Sequence, residues 1–281
     1  MSQVTAEMVK KLRDRTGVGM GKCKKALEEA GGDIENAIDL LRKAGMASAV
    51  KKESRETNEG TIAFAQNGEA IAIVEINAET DFVVQNDKFK LFAKTICEAA
   101  LKACPSSIEE LSALEVEGGH TIEAYRAEHI QSLGENLKLS RLLIVPKHEN
   151  RSYGLYSHMK GMILALVEVD GASDQEALAR DIAMHATAED PEYLRPEDVP
   201  QEALDREMAI AKEQMKGKPD NVIDKILEGK KRAFYDQICL TKQKFVKDSS
   251  VSVEKHVENV GKEAGKTLSV SRYVRWQVGE A

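Results

Sequence analysis

Covalent chemistry needs particular side chains at particular spacings, and few such sets occur in this chain of 281 residues. The run Gly17-Val-Gly-Met-Gly-Lys22 has the glycines of a phosphate-cradling loop. A Walker loop, however, needs a glycine five residues ahead of its Gly-Lys pair and a hydroxyl directly after it, and Thr16 and Cys23 stand in those places. No strand pattern precedes the run, so it reads as a turn joining two helices, exposed and able to dock. Zinc needs thiolates or imidazoles in clustered spacing; here the 6 histidines are scattered, and the 4 cysteines, Cys23, Cys97, Cys104 and Cys239, form no C-x-x-C pair. Cys97 and Cys104 fall two helical turns apart on one apolar stripe, which predicts inert packing. His185, inside Ile182-Ala-Met-His-Ala186, reads as a hydrogen-bonded histidine at a helix's core edge, and His158, before the turn Met159-Lys160-Gly161, as an exposed contact. No serine, cysteine or carboxylate pair stands in a nucleophile setting, so no catalytic residue, metal or cofactor is expected.

What remains is Thr80-Asp81-Phe82-Val83. A strand pattern ends at Asn77 and a helical one begins near Asn86 or Asp87, so Phe82 falls in the connection, outside either hydrophobic period. Its ring could fold back onto the core. Against that, polar Glu79, Thr80 and Asp81 push the tip toward water, and an aromatic ring beside a carboxylate is a common anchor for a protein partner.

The elements that must position these residues follow from periodicity. Thr5 to about Arg15, Lys22 to Ala30 and Ile34 to Ala44 read as three short helices with one apolar stripe each. Thr5 and Asp33 are the N-caps, and Gly31 and Gly45 the C-terminal stops. A polar linker, Lys51 to Gly60, leads to a period-two hairpin around Asn67-Gly68, then to helices carrying Phe89, Phe92 and Ile96 and Ile122, Tyr125 and Ile130, and to a strand from Leu137 to Val145. Strands at Tyr153–His158 and Met162–Val169 and a helix from Asp174 to about Ala188 repeat the strand, strand, helix order. After Pro191, Pro196 and Pro200, helices at about Gln201–Met215 and Asn221–Asp236 pair through Leu204, Met208, Ala211 and Met215 against Ile223, Ile226 and Leu227. The chain returns through Phe245-Val246, a helix from Ser252 to Lys262 and a strand from Leu268 to Val278. The expectation is an α+β protein with a three-helix domain at 1–54 and two related α+β subdomains at 55–147 and 148–281. The second would carry a projecting helical hairpin at about 197–236.

Composition bounds the partner. With 42% hydrophobic and 31% charged residues the chain is ordered and helix-leaning, and its net charge of -7 disfavours nucleic acid, whose phosphates demand a basic surface. Residues 1–54 run the other way, with 11 Lys and Arg against 8 Asp and Glu. No apolar run approaches the roughly 20 residues of a membrane span, and the Met1-Ser-Gln-Val-Thr start has no signal-peptide core. A reduced, cytoplasmic protein with neither nucleic acid nor membrane as partner is expected.

Two long segments, Leu12-Arg-Asp-Arg-Thr-Gly-Val-Gly-Met-Gly-Lys-Cys-Lys-Lys-Ala-Leu27 and Glu75-Ile-Asn-Ala-Glu-Thr-Asp-Phe-Val83, resemble the two signatures of the elongation factor Ts family, the guanine-nucleotide exchange factors of elongation factor Tu. Ile182-Ala-Met-His-Ala186, the proline-flanked hairpin and Trp276-Gln-Val-Gly279 extend the resemblance over essentially the whole chain. It implies that Thr80, Asp81, Phe82 and Val83 enter beside the partner's magnesium site and dislodge the ion. It implies further contacts from Arg13, Met20 and Lys24 and from His158, Phe245 and Val246, and leaves open self-association through the helical hairpin. Val84 and Gln85, Gly21 and Lys247 depart from the common pattern and are expected to retune affinity, and the contact that some members make through an extra C-terminal tail is not expected. Two rival classes stay in view. The three helices also resemble ubiquitin-associated domains, which suggests an adaptor, and an enzyme could use His158 or His185.

Overall fold

The computed structural model describes residues 4–116, 119–214 and 220–280. It is an α+β structure that divides into two compact units: Met1–Pro146 with Lys160–Met162 and Gln277–Ala281, and Lys147–Met159 with Ile163–Trp276.

The first unit opens with α1 (Ala6–Thr16), α2 (Met20–Glu29) and α3 (Ile34–Lys52). Thr5 Oγ1 accepts the Met8 N–H at 3.3 Å and Asp33 Oδ1 that of Asn36 at 2.9 Å, so both expected caps satisfy an otherwise unpaired first-turn amide. Leu12, Cys23, Leu27, Ala37 and Leu41 meet in a small core. Gly45 is not a stop: α3 runs on to Lys52 and buries Gly45 in mid-helix. There a Cβ would meet Gln131 Oε1 at 3.0 Å and the Ala127 carbonyl oxygen at 3.4 Å, so the glycine lets α3 pack closely on a later helix. The start of the expected linker is therefore helical, and Lys52 Nζ donates to the carbonyls of Ile130 (3.3 Å) and Gly134 (2.7 Å).

β1 (Glu59–Gln66) and β2 (Ala70–Ala78) form the hairpin, and Asn67 Oδ1 accepts the N–H groups of Glu69 and Ala70 at 2.8 Å each. Next come α4 (Asp81–Gln85), α5 (Asp87–Ala103), α6 (Ile108–Ala113), the short pair β3 (Glu115–Val116) and β4 (His120–Thr121), α7 (Ile122–Leu133) and β5 (Leu137–Pro146). The sheet order is β1-β2-β5, antiparallel throughout. Ala72, Val74 and Ile76 of β2 share a core with Phe89, Phe92 and Ile96 of α5 and with Ile122 and Ile130 of α7. β2 is buried on both faces, and its second face carries Glu75, fully buried. The Glu75 carboxylate accepts from Arg141 Nε, from Asn77 Nδ2 (3.0 Å) and from the Gly279 N–H (2.9 Å), which compensates for burying a charge.

The second unit holds β6 (Arg151–His158), β7 (Ile163–Asp170), α8 (Glu176–Glu189), the helical pair α9 (Gln201–Glu213) and α10 (Asp220–Ile238), the small hairpin β8 (Lys244–Phe245) and β9 (Asp248–Ser252), α11 (Val253–Glu263) and β10 (Ser269–Gln277). Its sheet, β10-β7-β6, places the second strand of the unit between the first and the last, as in the first unit. Leu204 and Ala211 of α9 are buried; Met215 and the connection at 215–219 lie outside the described residues. Two glycines therefore make a controlled comparison. At Gly154 a Cβ would lie 2.1 Å from the backbone of Ala179 and Arg180, where β6 crosses α8, and backbone cannot yield. Gly154→Ala is expected to cost about 3 kcal/mol. Gly45→Ala should stay within about 1 kcal/mol, because the Gln131 side chain can turn aside and alanine gains helix propensity. Urea unfolding of both variants checks the difference, and equal effects would refute the packing account.

Candidate protein-binding site

The polar residues around Phe82 form a scaffold for it. Beyond Glu75 and Asn77, Glu79 accepts the Asn136 N–H at 2.7 Å and pairs with Arg55 at 3.3 Å. Thr80 N–H and Oγ1–H donate to the two oxygens of Glu135, at 3.0 and 2.7 Å, while Thr80 Oγ1 accepts the Val83 N–H at 3.4 Å. Thr80 is thus the N-cap of α4, a five-residue helix where the hydrophobic pattern had implied only a connection. One turn of helix separates its side chains: Val83 is buried in the core, Val84 packs partly against it, and Phe82 is 83% exposed. Asp81 is exposed beside it. Of the four residues expected to face a partner, Asp81 and Phe82 are on the surface, whereas Thr80 and Val83 hold α4 in place.

Asn86 then caps α5, its Oδ1 accepting the Lys88 N–H at 2.9 Å, and Lys88 Nζ reaches the carbonyl oxygen of Gly17 at 3.2 Å. This bond ties the turn between α1 and α2 to the residues that follow Phe82. Gly17 ends α1 with φ of 66°, Val18 is buried, and Gly19 opens α2. Arg13 and Lys24 are exposed and Met20 is 50% exposed, so the glycine run is a turn that presents side chains.

In the second unit His158 is exposed at the end of β6, with its ring near that of Tyr156. Phe245 and Val246, expected to act as one contact, separate. Phe245 is 2% exposed and stacks on His256 with ring centres 4.2 Å apart, so in this conformation it offers a partner no surface. Val246, in the two-residue turn between β8 and β9, is 44% exposed. Lys247 is ion-paired with Asp181 at 2.6 Å.

Three of the side chains that could do chemistry, His185, Cys97 and Cys239, are buried. His185 is fully buried with both ring nitrogens in hydrogen bonds, and burial holds its pKa below the ordinary histidine value. Burial pushes the Cys97 thiol up to about 12 and the Cys239 thiol to about 11, which keeps both protonated and unreactive. Cys104 departs from the expected buried stripe: it caps α5 at φ 49°, where the chain turns out of the helix, and is exposed. Among the described residues no group of three or more His, Cys, Asp and Glu could hold a metal ion, and no helix is long and apolar enough to cross a membrane.

The family model described as elongation factor TS matches residues 79–280, a span that begins on the scaffold of Phe82 and covers the second unit. Over 282 residues the chain is 51% identical to an elongation factor Ts of Protochlamydia amoebophila, with 100% of both chains covered. It is 44% identical over 281 residues to that of Chlamydia muridarum, covering 99% of this chain and 100% of the relative. The chain belongs to the elongation factor Ts family. Its role is accordingly that of a translation elongation factor. Relatives of elongation factor Ts match along the full length, including the three N-terminal helices that precede the span of the family model. Sequence reasoning missed Glu135 and Asn136, which hold Thr80 and Glu79 from 55 and 57 residues away; nothing local in the sequence announces such pairs.

The exposure contrast within α4 sets an expectation about stability. Phe82→Ala should leave stability within about 0.5 kcal/mol, because the ring is in water, whereas Val83→Ala should cost about 2 kcal/mol by opening the core. Chemical denaturation of the two variants measures this. A Phe82 variant that unfolds as readily as the Val83 variant would contradict the placement.

Proposed function

We propose that the chain is a guanine-nucleotide exchange factor that binds elongation factor Tu in its GDP form and promotes GDP release and GTP reloading in the cytoplasm. Asp81 and Phe82 enter beside the partner's magnesium ion, distort the nucleotide site and dislodge the metal. The ion and the nucleotide belong to the partner. The observation that carries this reading is Phe82, 83% exposed on a short helix whose cap and core contacts hold it in place. A large apolar ring kept in water on a rigid support is costly to maintain unless a partner covers it, and one such anchor can dominate an interface.

No covalent step is required. A factor that binds the nucleotide-free partner more tightly than the nucleotide-bound one weakens nucleotide affinity by the same ratio, by linkage. Removing magnesium takes away the largest positive charge on the phosphates and speeds their departure. Arg13, Met20 and Lys24, on a three-helix UBA-like domain at 1–54, grip the GTPase domain. His158 and Val246, on the core subdomain at 148–281, reach other parts of it, with Phe245 supporting Val246. The subdomain at 55–147 carries the wedge. The coiled-coil hairpin at about 197–236 keeps Ile210 half exposed, which a second copy of the chain can cover.

Fluorescent GDP preloaded on elongation factor Tu provides the test. The intact chain should accelerate release strongly, and Phe82→Ala should lose roughly 30-fold of that effect, the scale of a hot-spot anchor. Absence of acceleration by the intact chain would sink the proposal. A fully active Phe82 variant would remove only the role given to the ring.

A further inference from the structure

His185 is not itself among the expected partner contacts, yet its surroundings fix more about it than burial alone. Gln243 Nε2 donates to two backbone carbonyls, Gln237 at 2.8 Å and Glu189 at 3.2 Å. Both acceptors require the amide nitrogen on that side, so Gln243 Oε1 must face the imidazole, where it lies 3.0 Å from His185 Nε2. An oxygen there accepts, so Nε2 carries the proton. His185 Nδ1 is then bare, and it accepts the backbone N–H of Val246 at 3.1 Å. One turn earlier on α8, Asp181 holds Lys247 at 2.6 Å. The two residues of the β8–β9 turn are thus pinned to one face of α8 at positions four apart, and Phe245 beneath them is fully buried against the rings of His185 and His256.

We propose that His185 is a positioning residue: through its unprotonated Nδ1 it fixes the Val246 amide, and so the exposed Val246 side chain, in the orientation that a partner reads. This rests on the proposed function for the identity of the partner, but the geometry at Val246 stands independently of it. Protonation of the ring would set an N–H at Nδ1 against the Val246 N–H, donor facing donor, and release the turn. The charged group that acts on the ring is Glu189 of α8; Asp181, one turn earlier, is paired with Lys247, Asp248 of the hairpin is bonded to Ser250, and His256 of α11 stacks on Phe245. Burial opposes the imidazolium most strongly, and the Gln243 hydrogen bond and then Glu189 favour it by less. With a folded-state pKa below the free value of about 6.5, the bond is fully present above that pH and is lost as pH falls through the lower folded-state value.

The two amide isosteres separate positioning from simple packing. An asparagine at 185 can place its oxygen where Nδ1 stood and keep the Val246 bond, losing the one to Gln243; a glutamine can replace Nε2–H and does the reverse. His185→Asn should retain slow hydrogen exchange at the Val246 amide and GDP release from elongation factor Tu within about twofold of the parent chain. His185→Gln should lose protection there and slow exchange by about tenfold, the scale of one buried hydrogen bond. Nitrogen-15 shifts of the unmodified chain give a reading that needs no variant: Nδ1 unprotonated and Nε2 protonated at neutral pH, with Val246 protection falling on acidification in the parent and not in His185→Asn. The opposite tautomer, or equal loss of Val246 protection in both variants, overturns the inference. If the parent chain fails to release GDP at all, the function proposed above fails, while amide protection and tautomer still decide the role of His185.

Discussion

The two hydrogen bonds that Glu135 accepts from Thr80, at 3.0 and 2.7 Å, are what the exposed tip depends on. A five-residue helix cannot sustain itself in water, because nucleating a turn costs more than its few internal bonds return. α4 exists because its first residues are held from outside and Val83 is drawn into the core. Glu135 fixes both the amide and the hydroxyl of Thr80, which leaves the Thr80 oxygen free to accept the Val83 N–H. The side chain directed away from the core at that point is Phe82. Rigidity matters here because a ring that must be ordered on binding spends part of its contact energy on its own entropy.

Both presenting elements are built in the same way. At the α4 tip a carboxylate from a distant segment holds a backbone N–H, and at the β8–β9 turn a neutral imidazole does so. In each case the residue beside the exposed one is buried, Val83 next to Phe82 and Phe245 next to Val246. An exposed apolar side chain gains nothing from burial in the free protein, so a buried neighbour must supply the attachment and a directed bond the orientation. Buried polar groups are costly unless satisfied, which is why Glu75 gathers three donors and why Gln243 uses both ends of its amide.

Much of this was legible in the sequence, and the failures have identifiable causes. Phe82 stood out because an aromatic ring among Glu79, Thr80 and Asp81 fits neither the period of two before it nor the helical period after it. Caps at Thr5 and Asp33 follow from local backbone chemistry, which short sequence windows contain, and Asn86, placed from the sequence only near the start of its helix, caps α5 by the same chemistry. Gly45 was misread because a glycine near the end of an apolar stripe looks the same whether it stops a helix or admits a neighbouring one; only the approach of Gln131 and Ala127 distinguishes them. Phe245 was grouped with Val246 because adjacency in sequence says nothing of which side of a tight turn each occupies. Cys104 shared a helical period with Cys97, but α5 ends there in a left-handed residue and the period no longer applies. Glu135 was beyond reach for another reason: a carboxylate after Gly134 has no local pattern that names Thr80 as its donor.

The polar residues of Glu75-Ile-Asn-Ala-Glu-Thr-Asp-Phe-Val83 acquire a physical account from these contacts. Glu75 anchors the chain after Trp276 through Gly279, Asn77 completes the Glu75 carboxylate, Glu79 takes the Asn136 amide, and Thr80 takes Glu135. Only Asp81 and Phe82 at the end of the segment are left exposed beside the buried Val83. A segment that looks like a binding motif is mostly the means of holding two residues still. On the exchange-factor reading that proportion is expected. The factor changes nucleotide affinity only by the difference between its binding to two states of the partner. A compliant tip would follow the partner from one state to the other and bind both alike. A fixed tip fits one state and clashes with the other, and the stiffness of its support therefore sets how much of the binding energy appears as discrimination.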